Sequence, residues 1–465
     1  MKDFKVINDR PSIVIVNTPA IDVNRLEGEF YKYDYLNAID KIKKIRFLPL
    51  ENLVDDIKDG PGGWDINISD YVEQGVPMLR TINIVDGLVN LDECVFIDIE
   101  KHKQLKRSRV VKNDVLLSVR GTIGKSAVYS KNFEANINAA LVKITLKDNI
   151  IDPYFLVAFF NCKYGRLQTE RIANGAVQLN MNLTEAKSNL IPIPSPEIQK
   201  YIGDKVRKAE ELREEAKRLK KEAEEILNKE LNLKDVEFYI KQTNNKKYSW
   251  TESIEIEDRI DSEFYKPKYR YLSKLNNMSE LSYYYKISKK RINKNIDRKI
   301  KYIDLSSVNN IIEPSDFNTK ELPSRAQFLV KEGNLIISTL KGSNKISIIP
   351  EHLNDSVCST GFIVIASKSH LTTEYLYLVF SNKVFNMQIE RYSTGSIMSG
   401  VNHDNFNKML IPVISNKQII DTITNKIRKH FRLLYYSKQL IQEAKQDVED
   451  LIEGNFDMSK VKANN

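Results

Sequence analysis

Cysteine, histidine and long apolar runs are scarce in this 465-residue sequence. Its three cysteines, Cys94, Cys162 and Cys358, stand far apart, so neither a disulfide framework nor a zinc site with CxxC spacing is expected. The sequence contains no run of about 18 uncharged apolar residues, so a membrane span is not expected. The N-terminus lacks the apolar core of a signal peptide. We therefore expect a soluble cytoplasmic protein with free thiols and no bound metal.

Motifs for catalysis are also missing. Residues 121–126 (GTIGKS) resemble a phosphate-binding loop. The Walker motif, however, has four residues between its first glycine and Gly-Lys-Ser, and only two are present here. Residues 152–154 (DPY) are one proline short of a methyltransferase motif, and we find no cluster of carboxylates for metal ions. These gaps predict a chain that is not an enzyme and binds no cofactor.

The charge excess is modest, since 71 Lys and Arg face 62 Asp and Glu for a net charge of +9. Such a balance permits a nucleic-acid partner without requiring one. Hydrophobic residues make up 42% of the chain, and this length predicts two or three domains.

The sequence repeats itself. Residues 25–32 (RLEGEFYK) match residues 259–266 (RIDSEFYK), and Tyr35 answers Tyr269. Four more matches follow in the same order: 111–118 with 330–338, 190–193 with 410–413, Gln199 with Gln418, and 205–208 with 426–429. Five matches in order indicate an internal duplication.

Each half consists of a mixed part with short apolar runs, typical of strands, followed by a long helix without proline. Each long helix has an apolar a/d seam, so the two are expected to pack on each other. The predicted seam residues are Ala209, Leu212, Ala216, Leu219, Ala223, Ile226, Leu434, Ile441, Ala444, Val448 and Leu451. The alternative is that each helix lies separately on its own mixed part. The heavily charged outer face, as at residues 217–222, argues against it.

The predicted fold is α+β: two mixed α/β domains separated by two long helices, which pack as an antiparallel coiled coil with a pseudo-twofold relation between the halves. About 35 residues of helix give a rod of roughly 50 Å. The predicted boundaries are a first mixed domain over 1–196, a central helix over 197–234, a second mixed domain over 235–415, a second helix over 416–454 and a tail over 455–465.

Positive charge is concentrated in one run in each mixed part, and a polar, glycine-containing segment follows later in each. Lysine and arginine neutralise phosphates, while arginine, asparagine and glutamine can read base edges; a solvated surface and ordinary loop ends are the competing interpretations. The candidate DNA contacts are Lys101, Lys103, Lys106, Arg107, Arg109, Arg120, Arg171, Asn174, Gln178, Lys289, Lys290, Arg291, Lys294, Arg298, Arg391 and Tyr392.

One ordered set of segments resembles the specificity subunits of type I restriction-modification enzymes. The set comprises residues 76–84, 111–125, 174–180 and 191–199, the last running directly into the first long helix. The resemblance implies that the two mixed parts are target-recognition domains, each reading one part of a split DNA site. It also implies helical regions that set the gap, hold methyltransferase subunits and join a restriction subunit.

The second half departs from this pattern. It has LKGSNK at 340–345 in place of the fuller glycine motif, and it lacks the later prolines after residue 412. Equal DNA contacts by the two halves are therefore in doubt. A fused methyltransferase-nuclease, the specificity module of another defence system, and a coiled-coil scaffold without a DNA role remain the alternatives.

Overall fold

The computed structural model describes residues 4–9, 12–18, 21–62, 65–175, 179–233, 243, 250, 256, 259–395 and 399–462. The chain divides into two compact units, Met1–Leu212 with Tyr436–Asn465 (unit 1) and Arg213–Tyr435 (unit 2). Both units combine sheets with helices, so the predicted α+β class is confirmed.

The core of unit 1 lies on a four-stranded and a five-stranded sheet. In the first, the apolar strand Val115–Ser118 is buried along its whole length because both its neighbours pair with it. The four-stranded sheet has the order Ser126–Val128, Val115–Ser118, Leu141–Leu146, Val54–Asp59. The five-stranded sheet has the order Arg109–Val110, Ala135–Ile137, Val76–Leu79, Val95–Ile97, Tyr71–Val72. Three two-stranded pairs complete the unit: Phe4–Asp9 with Ser12–Val16, Ile84–Val85 with Leu88–Val89, and Phe47–Pro49 with Leu190–Pro192.

The helices of unit 1 begin at side-chain caps where the sequence supplies them. Asp152 accepts hydrogen bonds from the backbone N–H groups of Tyr154 and Phe155, and Pro153 occupies the first turn, as its fixed φ favours. The following seven residues are all buried. The shorter helices of unit 1 are Tyr33–Ile42, Ile99–Gln104, Pro153–Asn161, Lys163–Ile172, Leu183–Lys187 and Ser459–Lys462.

Unit 2 has a four-stranded sheet with the same strand order by chain position as that of unit 1. It runs Ile346–Ile348, Leu335–Ser338, Phe362–Ser367, Tyr285–Ser288. A second sheet runs Ser315–Asn318, Lys299–Ile303, Val357–Ser359, Ala326–Leu329, and Met278–Glu280 pairs with Leu410–Pro412. Its shorter helices are Leu281–Tyr284, Thr373–Ser381, Lys383–Tyr392 and His403–Asn407.

Two long helices, Pro196–Glu230 and Lys417–Glu453, contribute to both units. In unit 1, Ser437 Oγ donates to the Ala209 carbonyl at 2.7 Å, and Lys205 Nζ lies 2.6 Å from Asp447. In unit 2, His430 Nδ1 lies 2.8 Å from the Ala216 carbonyl oxygen. Residue numbers rise along one helix as they fall along the other in these contacts.

Three of the predicted seam residues do not occupy the buried positions. Ile226, Leu434 and Leu451 are only half-buried, and each has a buried neighbour, respectively Leu227, Leu433 and Ile452. A helix has 3.6 residues per turn, so the buried line of a strict seven-residue pattern drifts toward later residues, as at Ile226 and Leu451; the shift from Leu434 to Leu433 runs the other way and has no such explanation. The remaining eight predicted seam residues are buried.

Residues after the second long helix contact both long helices within unit 1. Phe456 stacks edge-on against Tyr201 at 6.1 Å between ring centroids, and Lys460 lies 3.0 Å from the buried Asp447. None of the helices in the described part of the chain is long and apolar enough to cross a membrane. All three cysteines are free, and burial raises the pKa of Cys162 and of Cys358 to about 12.

Candidate nucleic-acid interface

A buried histidine connects the basic run of unit 1 to a neighbouring strand. His102, on the helix Ile99–Gln104, has Nδ1 2.6 Å from Asn136 Oδ1 and Nε2 2.9 Å from Glu134. Asn136 in turn donates to the Leu105 carbonyl at 3.0 Å and to Ser108 Oγ at 2.7 Å. This network fixes the run to a sheet strand, although the histidine spacing in the sequence gave no sign of it.

Acidic neighbours balance most of that run. Lys101 pairs with Asp70 at 3.1 Å, Lys103 with Glu100 at 2.7 Å, and Arg109 with Glu134 at 3.4 Å; Arg107 pairs with Asp59. Only Lys106 in the run is exposed and forms no ion pair with a described residue. The sequence pattern of nine residues without an acid therefore overstated the free positive charge, because Glu100 directly precedes the run and the other partners, Asp59, Asp70 and Glu134, lie outside it in the sequence.

The basic run of unit 2 is free of such partners. Lys289, Lys290, Arg291 and Arg298 are all exposed, and none forms an ion pair with any residue that the structure describes. The backbone of the run is nevertheless held, since Leu329 N–H donates to the Lys290 carbonyl at 2.8 Å. Unit 2 thus presents a positive strip whose four exposed cations form no ion pair in the described part of the chain.

Cations of that strip contribute to the pKa shifts of two neighbouring groups. The hydrogen bond from Lys331 holds the pKa of Asp355 below its usual value, and Arg298 and Lys290 add to the effect. Burial lowers the pKa of His403, and Lys289 contributes. Lys294 is half-buried, and its Nζ donates to the Pro323 carbonyl at 2.9 Å.

Each unit also carries a closed loop at its predicted polar segment. In unit 1, Asn174 and Asn180 exchange backbone hydrogen bonds of 2.8 and 2.7 Å; in unit 2, Thr394 and Gly400 exchange bonds of 2.9 and 3.0 Å. Asn174 is exposed, although its side chain donates to Glu185, and Arg120 is exposed beside the first loop. Gln178 lies outside the described residues.

An arginine–phenylalanine–arginine stack stands beside each loop. In unit 1 the guanidinium groups of Arg25 and Arg171 lie 4.4 and 3.6 Å from the centroid of the Phe30 ring. Arg171 Nε donates to the Phe30 carbonyl at 3.0 Å, and burial lowers the pKa of Arg171 to about 10. Arg25 donates to the Ile172 carbonyl at 2.7 Å, which satisfies the end of the helix Lys163–Ile172.

Unit 2 repeats the stack with Arg259 and Arg391 at 4.8 and 4.2 Å from the Phe264 centroid. Tyr392 is buried against the same ring at 5.4 Å. Arg171, Arg391 and Tyr392 therefore make contacts within their own units, and their role as candidate DNA contacts stays a prediction. The repeated motif RxxxEFYK signalled this stack, but its role could not be seen without the helix ends it contacts.

The family model of the type I restriction modification DNA specificity domain matches residues 62–225. This segment is therefore similar to a type I specificity domain. The resemblance expected from the sequence is confirmed for this segment, which contains the paired basic run and the first closed loop.

Two curated relatives are similar to part of the chain. The specificity subunit of the type I restriction enzyme EcoBI from Escherichia coli is 30% identical over 164 residues, which are 35% of this chain and 34% of the relative. The putative specificity subunit of MjaX from Methanocaldococcus jannaschii is 28% identical over 134 residues, 28% of this chain and 32% of the relative. The chain thus spans about a third of the length of the curated relatives it matches.

Among solved structures, the type I S subunit from M. genitalium matches 89% of this chain and 96% of its own length, with 15% identity and a TM-score of 0.44. The HsdS subunit from Thermoanaerobacter tengcongensis matches 88% of this chain and 97% of its own length, with 12% identity and a TM-score of 0.30. The assignment of the specificity domain comes from the sequence match and not from these structures.

The unpaired basic strip lies outside the specificity domain as matched. Within the described residues, no group of three or more His, Cys, Asp or Glu side chains could hold a metal ion. The chemistry available at both surfaces is that of cations, amides and backbone groups, which is the chemistry of phosphate contact and base-edge hydrogen bonding.

Proposed function

We propose that this chain is the DNA-recognition subunit of a type I restriction-modification complex, reading a bipartite DNA site and carrying no catalytic step itself. The match of residues 62–225 to the specificity domain carries the proposal. The exposed cations of unit 2 support it, because phosphate contacts supply most of the affinity of such proteins.

Unit 2 is proposed to be a second target-recognition domain, derived by duplication. Its support is the shared strand order of the four-stranded sheets, the repeated arginine–phenylalanine–arginine stack and the closed loop in each unit. The predicted domain boundaries at residues 196, 234, 415 and 454 stay part of this proposal.

The two long helices are proposed to form an antiparallel coiled coil on which methyltransferase subunits dock. Contacts of Ala209 with Ser437 and of Ala216 with His430 support the pairing. For docking, aromatic side chains off the seam are the natural anchors, but Tyr435 is held within unit 2, where its hydroxyl accepts from Ile312 N–H at 3.1 Å. Tyr436 is 47% exposed and is the remaining candidate on the second helix.

The test is to co-express the chain with its neighbouring methyltransferase gene and to map methylated bases across the genome. We expect one bipartite motif with a fixed gap, and the purified chain alone should leave S-adenosylmethionine unbound. A contiguous motif would contradict the bipartite proposal, and failure to retard mixed duplex DNA in a mobility-shift assay would contradict a DNA role altogether.

Tyr436→Ala tests the docking surface separately. The variant should stay folded and bind DNA but no longer co-purify with the methyltransferase. Tyr283→Ala is the matched control, since Tyr283 is 70% exposed on unit 2. If Tyr436→Ala still assembles as the unchanged chain does, the anchor lies elsewhere.

A further inference from the structure

A cavity of about 360 Å³ opens in unit 2 beside its closed loop. Its volume is at the low end for small-ligand sites, which begin at about 300 Å³. The groups that line it include Arg259, Lys341, Thr394 and Ser399. Thr394 belongs to the polar loop described above and the candidate contact Arg391 also lines the cavity, whereas Arg259, Lys341 and Ser399 are not among the candidate DNA contacts.

The donors in this cavity are incompletely used. Arg259 Nη1 is buried without a hydrogen-bond partner, and a buried donor left unpaired costs about 1–3 kcal/mol. Lys341 is exposed and forms no ion pair with a described residue. Three groups could therefore donate to a ligand: the Arg259 guanidinium, the Lys341 ammonium and the Thr394 hydroxyl.

Unit 1 supplies an internal comparison, because the same loop is built there from different side chains. Lys341 N–H donates to the Ser399 carbonyl at 3.0 Å as Gly121 N–H donates to the Leu179 carbonyl at 3.1 Å. These bonds align Lys341 with Gly121 and Ser399 with Leu179. The closing residue Thr394 likewise aligns with Asn174.

The helix that precedes each loop gives one further pair, since its C-cap residue is Ser393 in unit 2 and Ala173 in unit 1. Unit 2 thus has a lysine and three hydroxyls where unit 1 has glycine, leucine, alanine and asparagine. Arg25, the counterpart of Arg259, is moreover occupied by the Ile172 and Arg171 carbonyls. Three of these four differences add a donor to unit 2; in the fourth, a hydroxyl replaces the Asn174 amide, whose side chain donates to Glu185 in unit 1.

Carboxylates also line the cavity, and each has a basic partner. Asp261 pairs with Arg259 at 2.8 Å, Glu263 with Lys266 at 2.7 Å, and Glu390 with Lys268 at 3.0 Å. Unit 1 has Glu27, Glu29 and Glu170 in the matching sequence positions, so the acids belong to the shared scaffold. The serine hydroxyls donate to carbonyls of their own turns, Ser393 to Ile389 and Ser399 to Gly395; a hydroxyl rotates readily to a new acceptor.

We propose that unit 2 binds a phosphate-type oxyanion in this cavity through Arg259, Lys341 and the hydroxyl of Thr394, and that unit 1 has no equivalent site. A backbone phosphate of DNA and a free phosphate compound offer the same oxygens. If the ligand is a DNA phosphate, the site deepens the proposed function and rests on it. If the ligand is a free phosphate compound, the site is independent of that function.

The experiment uses the full chain and the variants Lys341→Ala, Ser399→Leu and Lys383→Ala. Lys383→Ala is the matched control, because Lys383 is an exposed lysine of unit 2 away from the cavity lining. Ser399→Leu installs the unit 1 residue and fills the cavity without changing charge. Binding of inorganic phosphate is followed by calorimetry, and the salt dependence of DNA affinity is measured in parallel.

A site for a DNA phosphate predicts that Lys341→Ala lowers the salt slope by roughly 0.9, while Lys383→Ala leaves it unchanged. A site for a free compound predicts saturable phosphate binding that Lys341→Ala and Ser399→Leu each weaken at least about tenfold, with an unchanged slope. The proposal is overturned if neither the salt slope nor the affinity for phosphate differs between Lys341→Ala and Lys383→Ala. Phosphate binding by a chain that fails to bind DNA would uphold the site and refute the proposed function.

Discussion

For single residues, the neighbours of each cation decide what its charge can do. An acid within about 4 Å attracts the cation and offsets its field at the surface. Lys101, Lys103, Arg107 and Arg109 have such neighbours in unit 1, whereas Lys289, Lys290 and Arg291 in unit 2 have none among the described residues. Equal charge in the sequence therefore does not mean equal affinity for phosphate.

Replacing Lys289, Lys290 and Arg291 by alanine should weaken binding to all DNA sequences alike and lower the salt slope by roughly 0.9 for each phosphate that the variant no longer neutralises. The matched triple variant Lys103→Ala, Lys106→Ala, Arg107→Ala should lower it less, because two of its cations already face acids. Both slopes can be read from titrations of mixed duplex DNA at several salt concentrations. An equal fall in the two variants would show that the internal ion pairs open on binding.

Arg171 should matter for stability and not for DNA contact. Its alanine variant would lack a charged hydrogen bond and a cation–π interaction with Phe30, and together these changes are expected to lower the free energy of unfolding by about 2 kcal/mol. Denaturant unfolding measures this, with Arg298→Ala as the exposed control. A changed DNA salt slope at unchanged stability would return Arg171 to the contact surface.

Among the elements, the extent of the two long helices follows from local sequence signals, whereas their buried lines do not. The sequence predicted long helices at 197–234 and 416–454, and they extend over Pro196–Glu230 and Lys417–Glu453. Proline at the start of the first helix and unbroken amphipathic spacing are enough to predict helices over these ranges. The exact buried line depends on the partner surface, as the burial of Leu227 in place of Ile226 shows.

The site was less accessible to sequence reasoning, because its contacts join distant segments. Arg25 meets the carbonyls of residues 171–173, and Arg107 meets Asp59. No local pattern encodes those pairs. Repetition was the one non-local signal available, and it located both stacks without revealing their role.

The helix pair contains a titratable group whose protonation opposes folding. Burial lowers the pKa of His430 from 6.5 to about 4, and its Nδ1 hydrogen bond to the Ala216 carbonyl only partly offsets this. Below about pH 6.5 the unfolded chain gains a proton that the folded chain excludes. The free energy of unfolding should therefore fall as pH drops from about 6.5 to 4, by on the order of 3 kcal/mol from this residue.

His430→Gln should flatten that dependence, since an amide can donate to the same carbonyl without titrating. Urea unfolding at pH 7, 6, 5 and 4 measures the effect. His370→Gln is the control, because His370 is exposed and its variant should follow the unchanged chain. An identical slope in His430→Gln and the unchanged chain would mean that His430 is protonated in the folded state.

For the whole molecule, the proposed function requires that the helix pair set the gap between two half-sites. The Ala209–Ser437 and Ala216–His430 contacts stand seven residues apart on both helices. Deleting residues 210–216 together with 431–437 removes one such interval from each helix and brings Ala209 opposite His430. The pair would shorten by about 10 Å at 1.5 Å per residue.

That shortening corresponds to about three base pairs at 3.4 Å each, so the double deletion should recognise unchanged half-sites with a gap about three base pairs shorter. Stability should fall, because the deletion removes the hydrogen bonds of Glu210 with Ser130 and of Tyr435 with Ile312. Methylation mapping of the co-expressed complex gives the motif directly. Deleting 210–216 alone is the control, since it displaces one helix against the other and should abolish methylation. Altered half-sites at an unchanged gap would refute the helix pair as the determinant of spacing.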